Sequence, residues 1–197
     1  DFGDLRQLVA RAAGEGAAFV GLNPLHALFP HNPAHASPYS PSSRAWINQM
    51  YIDVEAVPVF YDCAVAEDRV RSPAFQQRLA ALLAAPLVDH AGVWAAKQEV
   101  LELLFARFCE RGPDDALAQD FERFRAEGGE ALQEQALFDA LLVHVHLQDP
   151  ARWGWPAWPE GWRQRHDAQV LGFEREHARR VAYFQYLQWQ AARQLEQ

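Results

Sequence analysis

Basic residues are scarce in this chain. Eighteen lysines and arginines stand against 26 acids in 197 residues, for a net charge of −8. No cluster of them could follow a phosphate backbone, which excludes nucleic acid as a partner class. Cysteine is nearly absent: Cys63 and Cys109 form no spaced framework, so two free thiols in a reducing, cytosolic setting are expected. No apolar run approaches the ~20 residues of a membrane span, so no membrane is expected. The opening Asp1-Phe2-Gly3-Asp4 is no signal peptide. Met50 is the single methionine, and the chain stops inside a helical pattern. The expectation is therefore a piece of a longer protein. Internal repeats and low-complexity stretches are also missing.

Half of the residues are hydrophobic, enough for one folded core. The most informative segment is a long polar loop. It opens with Gly21-Leu22-Asn23-Pro24-Leu25-His26 and closes with Ser37-Pro38-Tyr39-Ser40-Pro41-Ser42-Ser43-Arg44. Prolines at 24, 30, 33, 38 and 41 stiffen it, and hydroxyls at 37, 39, 40, 42 and 43 line it. Such a loop presents fixed donors and acceptors to a polar ligand at low ordering cost.

Around it the pattern is mainly α with a few short strands. Asp4 and Gln7 suggest a helix start, with Leu5, Leu8, Val9 and Ala12 as its apolar stripe. Ala18–Leu22 and Tyr51–Val57 read as strands. Ser72-Pro73 reads as a cap and first helical residue, with Phe75, Leu79, Leu82 and Leu83 buried. Helices are expected over Val93–Phe108, Asp114–Ala126, Ala131–Leu147 and Asp167–Leu195, divided by Gly112-Pro113, Gly128-Gly129 and the stretch 149–162. On the last helix, Phe173, His177, Val181, Phe184 and Gln188 share a face that Tyr183, Tyr186 and Trp189 widen. A face that wide implies cover on two sides, by further chain or by self-association.

Other clusters read as ordinary structure. Trp153, Trp155, Trp158 and Trp162 suit either a sugar-stacking platform or a small core pinning a loop, and the core is the preferred reading. His26, His31, His35, His144 and His146 make no closed ligand set, so no metal is expected. Asp114-Asp115 suits a helix start, and the Asp53/Glu55 face is no acid–base pair. Cys63 and Cys109 read as packing residues.

The segments 21–30, 37–44 and 48–60, followed by 87–101, 149–162 and 173–195 in that order, resemble the amylomaltases, the 4-α-glucanotransferases of glycoside hydrolase family 77. That resemblance implies a partial (β/α)8 barrel plus an inserted helical subdomain. Residues 1–60 would carry the first strands and the substrate loop, 61–166 the insertion, and 167–197 a long helix leading back. It implies transfer of α-1,4-glucan segments between maltooligosaccharides by a retaining double displacement, without a cofactor. Retention needs two carboxyl groups ~5–5.5 Å apart. In the family these lie on later strands, so no catalytic residue is expected in this piece, and the isolated piece should be inactive. Tyr39 matches the tyrosine that lines the subsite of the reacting glucose. Ser37 matches a serine touching sugar hydroxyls, and Asn48 an asparagine that braces the loop. Gln49 and Met50 depart from the family pattern, as does His90. Two rival readings stay open: a non-catalytic helical interaction module, for which the loop has no use, and a hydrolase of the α-amylase clan.

Overall fold

The structure, a computed structural model, describes residues 1–196. Helix α1 (Phe2–Gly14) begins two residues before the expected Asp4. Asp1 is the cap and Asp4 the third helical residue, and the two form a reciprocal capping box. Phe2 is buried, but Leu8 and Val9 are about half exposed, so the expected stripe is covered only at its first turn.

Neither expected strand forms. Residues 18–22 run as an exposed loop, with Phe19 86% exposed, and 51–57 form turns. A lone strand leaves its ladder donors and acceptors unpaired, so it persists only beside neighbours. The alternation at 51–57 instead reflects turns that bury Ile52 and Val57. The strands that do form among the described residues are β1 (His26–Ala27) and β2 (Ser43–Ile47), an antiparallel pair with an irregular register. They close the ends of the polar loop. A parallel barrel sheet is therefore not what the described residues contain.

Helices α2 (Ala64–Arg71) and α3 (Pro73–Ala84) meet at Ser72, whose hydroxyl caps α3 through the Phe75 N–H, with Pro73 at the first helical position. Phe75 is buried, whereas Leu83 is 87% exposed and does not join the stripe. Asp89 caps α4 (His90–Phe108), and Asp115 caps α5 (Ala116–Gln148) through the Leu117 and Ala118 N–H groups. The glycine break appears as a kink: Gly129 has φ 52° and ψ −140°, open to glycine and strained for any other residue. The last helix is two: α6 (Ala168–Glu176) and α7 (Ala178–Leu195), divided at His177.

Helix α7 is the axis of the molecule. It packs along α5 and touches α1, α4, α6, β2 and the 3-10 turn Gln49–Tyr51. Phe108 of α4 lies 5.1–5.4 Å from Phe121, Tyr186 and Trp189, at the centre of one aromatic core. The broad apolar face of α7 is thus covered from within the chain, which removes the packing argument for self-association. Cys63 is buried as expected, while Cys109 is exposed at the end of α4. No helix among the described residues is long and apolar enough to cross a membrane.

Candidate functional site: a proline-fixed loop with an exposed tyrosine

Between β1 and β2 the chain makes three hydrogen-bonded turns, each with proline in second place. Asn32 N–H donates to Phe29 O across Pro30, His35 N–H to Asn32 O across Pro33, and Ser40 N–H to Ser37 O across Pro38, all at 3.0–3.1 Å. Proline presets φ for that position, and no non-glycine residue among the described residues has positive φ, so the turns are of the common type I family. Ser42 then ties the loop shut. Its hydroxyl donates to the carbonyls of both Ala27 and Leu28 at 3.0 Å, and its N–H donates to Ala27 O at 2.9 Å.

Tyr39 occupies the third place of the Ser37–Ser40 turn, with its side chain 68% exposed. Its hydroxyl donates to Asn23 Oδ1 at 2.8 Å, which orients the ring against the opposite arm of the loop. Ser37 is exposed at the start of the same turn. Tyr39 and Ser37 are therefore brought together. Asn48 is not with them: it is buried at the foot of β2, where its Oδ1 accepts from Met50 N–H at 3.0 Å and its N–H donates to Leu25 O at 2.9 Å. Its place is that of a brace. Asn23 was missed in the sequence reading, because a lone asparagine before proline reads only as a turn residue.

The foot of the loop is held by buried amides. Gln188 on α7 grips Ile47 on both sides, accepting its N–H at 3.1 Å and donating to its carbonyl at 2.9 Å. Gln194, two turns further, grips Asp53 in the same way at 2.8 Å each. Lys97, the one lysine of the chain, donates to the carbonyls of Met50 and Ile52 at 2.9 and 2.7 Å. Burial brings its ammonium down to about 8, against the pull of Asp53 and Asp4. Gln49 donates at 3.1 Å to Asp139 of α5, which also accepts from Gln135 at 3.0 Å. Asp139 is fully buried, and burial pushes its carboxyl up to about 7 despite those two bonds. The family departure at Gln49 is thus a link between the loop foot and α5.

The far end of the loop is tied to the tryptophan-rich stretch. His31 Nε2 lies 2.7 Å from the Trp153 carbonyl, so Nε2 carries the proton. Burial holds this imidazole below its usual range, the carbonyl bond opposing and neighbouring His146 assisting. Trp158 is buried against Phe138, and Trp162 stacks on His144 at 5.6 Å, as the small-core reading expects. Trp153 and Trp155 differ: both are about half exposed.

Chemically, the loop offers an aromatic face, hydroxyls and carbonyls on a rigid frame. It offers no acid. From Gly16 to Ile52 the sequence contains neither aspartate nor glutamate. Among the described residues no group of three or more His, Cys, Asp or Glu is placed to hold a metal.

Comparison with known proteins gives a consistent picture. The sequence model of glycoside hydrolase family 77, described as 4-alpha-glucanotransferase, matches residues 1–197. A 4-alpha-glucanotransferase of Haemophilus influenzae is 34% identical over 200 residues, covering 99% of this chain and 29% of the relative. One from Mycobacterium tuberculosis is 33% identical over 202 residues, covering 99% of this chain and 26% of the relative. The crystal structure of amylomaltase from Corynebacterium glutamicum superposes with a TM-score of 0.69 at 27% identity, over 98% of this chain and 24% of that one. The chain spans under a third of the length of these relatives.

Proposed function

The chain belongs to the 4-alpha-glucanotransferase family, glycoside hydrolase 77, and we propose that it is part of an enzyme that moves α-1,4-glucan segments between maltooligosaccharides with retention. The observation that carries this reading is Tyr39: an exposed phenol, locked by Asn23, on a loop with three proline-directed turns. A pyranose presents an apolar C–H face and a rim of hydroxyls. The Tyr39 ring suits the first, and Ser37 with the loop carbonyls suits the second. Asn48 serves the same site from below, by fixing the foot of the loop.

In this reading the two carboxyl groups of a retaining mechanism come from later barrel strands, and the 16–52 stretch, which has no aspartate or glutamate, contributes neither. In this proposal residues 1–60 join a (β/α)8 barrel and supply the wall of the donor site. Residues 61–166 form an inserted helical subdomain, and 167–197 lead back to the barrel. The same reading puts the protein in the cytoplasm, acting on maltodextrin without a cofactor.

Product analysis tests it. The whole protein incubated with maltotriose should release glucose together with maltopentaose and longer chains, while residues 1–197 alone should release nothing. Accumulation of glucose and maltose without longer products would instead make the whole protein a hydrolase. No turnover of any α-glucan by the whole protein would leave a non-catalytic module.

A further inference from the structure

The tryptophan-rich stretch carries more than a packing role. We infer that Trp155, Trp158 and Trp162 form the wall of a second glucan-binding site, apart from the Tyr39 loop. A cavity of about 380 Å³ opens between this stretch and α5. That volume is within the ~300–1,000 Å³ of small-molecule sites. Trp158 and Trp162 belong to the small core and shape the cavity from behind, while Trp155 is 51% exposed at its mouth.

Half of Trp155 stays exposed, which leaves an indole face for a ligand to cover. Here its position is fixed. Pro156 sits within the 3-10 turn Trp155–Ala157, Pro159 follows it, and the neighbouring Trp153 carbonyl is held by His31. The ring therefore loses little freedom on meeting a ligand, which favours binding by a preset platform.

The polar groups around the cavity select the ligand class. Arg163 is held at 2.6 Å by the Trp158 carbonyl, and Arg165 is paired with Glu174 at 2.9 Å. Glu134 adds a further carboxylate to the wall. Two cations thus face two anions, which gives no net pull for a charged ligand. Indole faces beside neutralised, hydrogen-bonding groups suit a neutral, polyhydroxylated chain. A second cavity shares Trp162 as its wall and continues along His144, Gln169 and His177, which lengthens the surface beyond a single sugar. An α-1,4-glucan is the occupant that fits both the chemistry and the extent. The choice of that sugar rests on the family reading, whereas the aromatic site itself does not.

Native gel electrophoresis of the whole protein through amylopectin tests this, with maltotriose disproportionation assayed on the same preparation. The wild-type protein should be retarded by amylopectin. Trp155→Ala should weaken the apparent affinity about tenfold, and Trp155→Phe should restore most of it. Far-UV circular dichroism of Trp155→Ala should match wild type, because the side chain is half exposed. Trp155→Ala retarded like wild type, or a wild-type protein that is not retarded, would overturn the inference. Active protein without retardation sinks this inference alone. Protein that is retarded through Trp155 yet never disproportionates maltotriose upholds this site and sinks the catalytic reading.

Discussion

Asp139 shows how far a single residue can depart from its ordinary chemistry. Its carboxyl is fully buried between two glutamine amides, with no cation beside it, and titrates at about 7 instead of ~3.9. In the unfolded chain it ionises near 4, while the folded chain keeps the proton until about 7. The folded state therefore binds more protons between those values, and stability falls as pH rises through that window. Asp139→Asn keeps the shape and removes the charge. It should flatten the loss of thermal stability between about pH 4 and 7, and at pH 8 should stabilise by on the order of 2–4 kcal/mol. The Gln49 amide oxygen has no partner, and the new amide can supply its donor after a turn of the side chain. Melting curves with equal pH slopes for the two proteins would contradict this account. At the same scale, the place of Tyr39 in a proline-directed turn was legible from Ser-Pro-Tyr-Ser, whereas its partner Asn23 was not, because a hydrogen bond across 16 residues leaves no local pattern.

Among the elements, α7 matters most to the site. Its glutamines at 188 and 194 are buried and clamp the backbones of Ile47 and Asp53, so the loop foot is fixed by a helix far away in sequence. Gln188→Leu would leave the N–H and C=O of Ile47 without those partners. It should lower stability by about 1–3 kcal/mol, read from urea unfolding of the chain. An unchanged midpoint would mean that the clamp holds nothing. The kink in α5 gives a second test. A Cβ at Gly129 would meet no atom, so any cost of Gly129→Ala is backbone strain alone, about 1–3 kcal/mol. These elements also show which signals a sequence carries. Caps such as Ser72-Pro73 and Asp115 act through neighbours two or three residues away and are visible as local pattern. Ala18–Leu22 is equally apolar but forms no strand, since pairing depends on what lies beside it. The division of the last helix at His177 carries neither glycine nor proline to announce it.

For the molecule as a whole, the chain is a helical body built around α7, carrying one rigid loop with an exposed phenol. The family match spans all of its residues, yet the chain spans 26–29% of the matched relatives. In the proposed function this portion grips sugar and another portion of the whole protein breaks the bond. The most direct test is the rate of maltotriose disproportionation by the whole protein carrying Tyr39→Ala. The expected result is a fall in kcat/KM of about 10–100-fold, or ~1.4–2.7 kcal/mol of lost transition-state binding, with Tyr39→Phe within about fivefold of wild type. Turnover by Tyr39→Ala at the wild-type rate would contradict the account.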